Sequence, residues 1–271
     1  MMGKKRTKKW WLWTLVGDKG ALFELLPSRG KASAMSILRD YDGLLVADGY
    51  AVYRSLEGAE SKRAAHPQAS LDLQEPALPN YLLAGCWSHA RRPFIKAEKN
   101  GLDVAEGLDL IGELFAIEDL AYERAEEDPG SLLRHRKQLR EERSREVVAK
   151  LKVWRDQQWA LPRSGLAKGL TFLKNQWEQL TVFLDHPLVP LDNNRAERRI
   201  RGPVLGRKNY QGVRSTQGAQ VAALMFSLFA SCEIEGVNPR LWLLEAATRA
   251  LKTPGTVCLP HDFALEQATG G

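Results

Sequence analysis

Every segment of this 271-residue chain that reads as a β-strand lies before residue 87, and nearly everything after it reads as helix. That order limits the fold to a small sheet first, then a helical segment, then helices able to pack back on the sheet. Residues 10–16 (WWLWTLV) and 21–26 (ALFELL) are short apolar runs separated by GDKG, which predicts a β-hairpin with a four-residue loop. KASAMSILRD, 31–40, predicts a short helix. The run 43–47 is short, continuously apolar and ends on Asp48, the pattern of a strand buried on both faces. AVYRSLEG predicts one or two helical turns, the polar, proline-bearing stretch 58–78 a loop, and NYLLAGCWSHARRPFIKAEK a strand that becomes helix near Trp87.

From 101 to 183 apolar residues recur at spacings of three and four, as in Leu108, Ile111, Leu114 and Phe115. The charged stretch ERAEEDPGSLLRHRKQLREERSREVVAKL predicts exposed helices around a break at Pro129–Gly130, and Trp154, Trp159 and Trp177 are expected in the core. DHPLVPLDNN predicts a loop into a helix starting near Asp192 or Asn193. An apolar helix follows over 218–233, stopped near Gly236, and another with Pro239 in its first turn. The tail after Thr253 has weak signals. These changes divide the chain into 10–100, 101–183, 184–250 and a tail, 251–271.

Charge is unevenly spread. Of a net +6, residues 1–9 and 191–214 contribute more than all, so the rest is net acidic and a localised anionic partner is expected. Three scattered cysteines, Cys86, Cys232 and Cys258, are too few for a disulfide framework, which suits a reducing cytoplasm. No apolar run reaches the roughly 18 residues a membrane span needs, and no signal peptide is read.

Three groups of residues could carry chemistry. Asp48 ends a buried strand, where α/β proteins open onto a crevice, although Asp-Gly is also an ordinary turn pair. Glu197 follows Asn193 by four residues and precedes Arg201 by four, so the three share one helix face. A Glu197–Arg201 surface pair would be worth only about 0.2–0.5 kcal/mol. One glutamate cannot neutralise Arg195, Arg198, Arg199, Arg201, Arg207, Lys208 and Arg214, and surplus arginines suit phosphates, which they grip bidentately. Asp192 or Asn193 can cap that helix. Cys86 and His89 form half of a zinc pattern whose other half is missing, which favours a structural or positioning role beside Arg91 and Arg92.

Three segments together, LLVADGYAVYRSL, AGCWSHARRPF and PLDNNRAERRIRGPVLGRKNYQG, resemble in that order the core of insertion-sequence-66-type transposases of the DDE superfamily, and AALMFSLFASCEIEGVNPRLWL resembles their ending. The resemblance covers roughly residues 10 to 245. It implies an α/β, ribonuclease-H-like catalytic core over 10–100 and 184–250, with 101–183 as a helical insertion. It also implies an Asp, Asp, Glu triad of which Asp48 matches the second aspartate and Glu197 the glutamate, holding Mg2+ or Mn2+. Arg195, Arg198, Arg199, Arg201, Arg207, Lys208, Arg91 and Arg92 would contact DNA, supported by Cys86, His89, Asn193 and Asn194. The implied partners are element ends and target DNA, with homo-oligomers when full length and no membrane. The chemistry is in-line phosphoryl transfer, in which paired metal ions held by carboxylates do most of the work.

The chain departs from the family at one point. The first aspartate of the triad lies before the strand matched by KKWWLWTLV, in an Asp-Glu-Thr or Asp-Asp-Thr motif, and residues 1–9 contain neither aspartate nor glutamate. Asp18, Asp42 and Asp192 do not match that motif. The resemblance therefore implies an N-terminally truncated core without its first strand, in which the hairpin 10–26 and strand 43–47 pair directly or the chain is only marginally folded. Such a chain is expected to show negligible strand transfer. A non-catalytic DNA-binding remnant, or a partner of full-length transposase, is the alternative; a helical protein whose basic segment contacts RNA is the third.

Overall fold

A four-residue loop can close a hairpin only if its ends meet. Here the Gly17 N–H donates to the Gly20 carbonyl at 2.9 Å in the computed structural model, which describes residues 10–57, 79–209 and 215–269, without the side chains of 207–209. Strands β1 (Trp11–Val16) and β2 (Ala21–Leu26) pair antiparallel, in register from Trp11↔Leu26 to Val16↔Ala21. Helix α1, Lys31–Leu38, follows, then β3, Asp42–Ala47, and α2, Ala51–Leu56. Strand β4, Asn80–Gly85, runs into α3, Trp87–Glu98. The loop expected over 58–78, and Arg214, lie outside the described residues.

Helices fill the rest: α4 (Ala105–Glu127), α5 (Leu132–Leu139), a π-helical turn (Arg140–Ser144), α6 (Arg145–Gln157), α7 (Gly165–Asn175), α8 (Trp177–Thr181) and a 3-10 turn (Val182–Leu184). Then come α9 (Asn194–Asn209), α10 (Thr216–Ile234), α11 (Pro239–Lys252) and α12 (Pro260–Thr269). The break at Pro129–Gly130 is present, with Gly130 at φ 88°. No single helix among the described residues is long and apolar enough to cross a membrane.

The chain divides into two compact units: residues up to Ile37 with those from Asn194 onward, and Leu38–Asn193. In the first, α10 covers β2. The Phe23 N–H donates to Ser227 Oγ at 2.8 Å and the Ala21 N–H to Ser231 Oγ at 3.0 Å. Serines one helical turn apart thus occupy donors that an uncovered strand edge would offer to another chain. Gly20 permits the approach, because a Cβ there would stand 2.9 Å from Ser231 Oγ. Phe23 packs edge-on against Phe226 beside Ala223 and Ala230. Ser215 caps α10, and Gly236, at φ 67°, ends the turn before Asn238 caps α11. The tail is more ordered than its sequence suggests. Pro260 opens α12, Phe263 joins a core with Cys232, Trp242 and Cys258, and Trp242 Nε1–H donates to the Cys258 carbonyl at 3.0 Å.

In Leu38–Asn193, β3 and β4 pair parallel from Asp42↔Asn80 to Ala47↔Gly85. The expected direct pairing of the hairpin with strand 43–47 is not found: the described strands form two separate two-stranded sheets, and β3 takes β4 as its partner. Nor is β3 buried on both faces; only Ala47 is fully buried, as no strand flanks its other edge among the described residues and its apolar run is short. The core of this unit lies among the helices, around Trp87, Phe94, Ile111, Leu114, Leu151, Trp154 and Leu173. Trp154 fits because residue 107 is glycine; a Cβ there would lie 2.3 Å from the indole. Trp177 is half-buried, whereas Trp159 is 77% exposed, beyond the end of α6 where no helix face carries it inward. The charged helices are not wholly exposed either, since Glu118, Arg136 and Arg140 are buried and paired with one another.

Candidate functional site

Parallel pairing brings the carboxy ends of β3 and β4 side by side. Ala47 sits opposite Gly85, so the next residues, Asp48 and Cys86, leave the sheet as neighbours. Asp48 is exposed, and its Oδ1 accepts the Tyr50 N–H at 3.1 Å. The turn reading of Asp-Gly is therefore met, and the exposed carboxylate remains at the strand end. Gly49 locks the turn: φ is 86°, a Cβ would stand 2.9 Å from Phe172, and its carbonyl accepts Gln176 Nε2–H at 3.3 Å.

At the end of β4, Cys86 is buried, and burial raises its thiol pKa, partly offset by backbone N–H groups of Asn193, His89 and Ser88. His89 Nδ1 lies 3.2 Å from Cys86 Sγ, and His89 Nε2 lies 3.0 Å from Arg92 Nη1. A guanidinium can only donate, so Nε2 must accept, which leaves the proton on Nδ1, facing the sulfur. The half-zinc pattern is thus a hydrogen-bonded chain, Arg92 to His89 to Cys86. No group of three or more metal-ligating side chains occurs among the described residues.

The segment before α9 docks on the same place. The Trp87 N–H donates to the Leu191 carbonyl at 2.9 Å, and the Ser88 hydroxyl donates to Asp192 Oδ2 at 2.9 Å. Asn193 Oδ1 is buried without a hydrogen-bond partner among the described residues. Cys86, His89, Arg92 and Asn193 therefore converge with Ser88, which sequence reasoning did not select, and Asp192, which it read only as a helix cap. Ser88 and Asp192 are 104 positions apart, and neither belongs to a residue pattern that announces the contact. Arg91 is exposed on α3.

Glu197 belongs to the other unit, in the first turn of α9, where the helix dipole favours a carboxylate. Asn194 opens that helix, which begins one or two residues later than expected. Two of the arginines have partners: Arg195 Nη1 lies 2.6 Å from Asp18 Oδ1, and Arg199 pairs with Glu233. Asp18, which no catalytic motif accounts for, has this structural use. Arg198 and Arg201 are exposed and have no ion pair among the described residues. The backbone of Arg207 and Lys208 lies in the last turn of α9, and their side chains fall outside the described residues.

Comparison with known proteins adds to this geometry. A family profile described as Transposase IS66 family matches residues 1–221. The chain is 28% identical over 260 residues to "Uncharacterized protein y4qI" and 28% identical over 285 residues to "Uncharacterized protein y4jD", both of Sinorhizobium fredii (strain NBRC 101917 / NGR234). These alignments cover 91% and 98% of this chain but 45% and 52% of the relatives, so the chain spans about half their length. No solved structure matches.

Proposed function

Because the chain belongs to the IS66 family of transposases, we propose that it takes part in DNA transposition as a portion of a DDE-type catalytic core with ribonuclease-H-like organisation. The observation that carries this reading is the surface of α9, where Arg198 and Arg201 stay exposed and without an ion pair among the described residues while Arg195 and Arg199 have acidic partners. Those two guanidiniums are suited to DNA phosphates, which they would position without reading base sequence. Arg91 and Arg92, on a helix that starts at the carboxy end of β4, would add backbone contacts.

On the family resemblance, Asp48 and Glu197 are each proposed as a carboxylate ligand for a divalent ion, Mg2+ or Mn2+, since hard carboxylate oxygens are the ligands such ions take. When bound, such an ion activates the attacking oxygen and stabilises the leaving one. The donors fit in kind but not in number, because no group of three ligands occurs among the described residues. His89, held by Arg92 with its proton toward Cys86, stiffens the strand end beside Asp48.

The test combines duplex-DNA binding with Mn2+ uptake, the latter read from the electron paramagnetic resonance of free Mn2+. Asp48→Asn and Glu197→Gln should each weaken Mn2+ uptake with DNA present and leave salt-sensitive DNA binding intact. Uptake equal to wild type in both variants would remove them from the metal site. DNA binding with no Mn2+ uptake at all would favour the second reading, a DNA-binding protein that does not catalyse. Equal affinity for RNA and DNA would overturn the transposition reading.

A further inference from the structure

The helical segment 101–183 holds three buried ionisable side chains, Glu118, Arg136 and Arg140, which the proposed chemistry does not use. Arg140 has 0% of its surface exposed. Its Nε donates to Glu118 Oε1 at 2.6 Å, Nη1 to the carbonyls of Phe183 at 2.7 Å and His186 at 3.1 Å, and Nη2 to that of Val189 at 2.9 Å. Its guanidinium also lies over the Phe183 ring, 5.1 Å from the centroid. Arg136 Nε stands 3.0 Å from Glu118 Oε2, and Nη1 donates to the Pro187 carbonyl at 3.2 Å. Two arginines thus reach four carbonyls between 183 and 189.

Stability alone does not account for this arrangement. A buried ion cluster is often matched or bettered by apolar residues of similar volume. What apolar residues cannot do is satisfy the carbonyls of a segment without regular structure. After the 3-10 turn ends at Leu184, residues 185–193 form neither helix nor strand, and Pro187 and Pro190 supply no N–H of their own. Buried carbonyls without donors cost free energy, and one planar fork with five donors serves several at once. Arg140 also begins the π-helical turn Arg140–Ser144, a deviation of the kind found at functional positions.

We propose that the helical insertion is a clamp and that Arg140 is a positioning residue. It fixes 183–189, and through that segment holds Asp192 and Asn193 against the carboxy end of β4, where the Leu191 carbonyl takes the Trp87 N–H and Asp192 takes the Ser88 hydroxyl. The consequence for catalysis rests on the transposase reading; the clamp itself does not.

Amide hydrogen exchange on the described full chain tests it. In the wild type, the Trp87 and Val189 amides should be as protected as helical amides near Leu139. Arg140→Lys keeps the charge but replaces the fork by one ammonium that cannot span three carbonyls. Exchange at 186–193 and at Trp87 should then accelerate about tenfold, roughly the loss of one net hydrogen bond, with the hairpin 11–26 unchanged. Unaltered exchange in Arg140→Lys would overturn the clamp, as would loop-like exchange of Trp87 and Val189 in the wild type. The wild-type measurement decides alone if the variant does not fold. For the catalytic consequence, Arg140→Lys should keep its DNA affinity and weaken Mn2+ uptake with DNA present; uptake equal to wild type would refute that step while leaving the exchange result standing.

Discussion

The salt dependence of DNA binding should separate the arginines of α9 into two pairs. Each phosphate neutralised by a cationic side chain releases condensed counterions, which steepens the fall of log K with log salt by about 0.9 per contact on duplex DNA. Arg198 and Arg201 are exposed and without an ion pair among the described residues, so both are available for phosphate. Arg195 and Arg199 already face Asp18 and Glu233, and a guanidinium engaged by a carboxylate contributes less counterion release. Arg198→Ala with Arg201→Ala should flatten the slope by about 1.8. From about 50 to about 200 mM salt, the affinity loss of the double variant should be about twelvefold smaller than that of the wild type. Arg195→Ala with Arg199→Ala should change the slope distinctly less. Fluorescence anisotropy of a labelled duplex at four salt concentrations gives all three slopes. A slope unchanged in the first double variant, or changed equally in the second, would refute the assignment of that surface.

Three further outcomes are expected. Trp154→Ala should destabilise by about 3–5 kcal/mol in urea unfolding, as large core truncations do, whereas Trp159→Ala should stay within about 0.5 kcal/mol; equal effects would contradict the burial assigned to each. Ser227→Ala with Ser231→Ala should lower stability by about 1–3 kcal/mol, because the Phe23 and Ala21 N–H groups lose their acceptors, and amide exchange at those two residues should accelerate selectively. Burial pushes the Cys232 thiol from 9.0 up to about 11. Above pH 9 the unfolded chain has lost this proton and the folded one retains it, so stability should fall between pH 9 and 11. Cys232→Ala should make that decline shallower, which denaturation midpoints at successive pH values would show.

Local signals made much of the architecture legible. GDKG between two apolar runs gave the hairpin, Gly236 and Pro239 punctuated α10 and α11, and the three-residue spacing of Cys86 and His89 put the two side chains within reach of each other. The failures share a physical cause, which is that burial depends on partners far away in the chain. Trp159 was expected inside because tryptophan is large and apolar, but it lies past the end of its helix. Arg136 and Arg140 read as solvated charges because their acceptors, the Glu118 carboxylate and the carbonyls of 183 to 189, are brought to them only once those segments are folded. The helix Pro260–Thr269 has few intrinsic signals and is anchored by Phe263 against Trp242 and Cys258.

The candidate site divides along the same line. Asp48 was readable from one strand and one turn, and Glu197 from the crowding of arginines around it, because each signal is local. The meaning of the crowding was not readable. Asp18 and Glu233, at 177 and 34 positions from their partners, absorb two of the arginines and leave Arg198 and Arg201, among the described side chains, to define a smaller, sharper surface. A surplus of charge in sequence therefore overstates a binding surface until its internal partners are subtracted. The subtraction also gives Asp18 a use: an acidic residue in the hairpin loop that no catalytic motif explains pairs with Arg195. If that pairing is what Asp18 is for, Asp18→Asn should free Arg195 and steepen the salt slope by up to about 0.9, one additional phosphate contact. A slope that does not steepen would mean that Arg195 already engages DNA and that the ion pair does not withhold it.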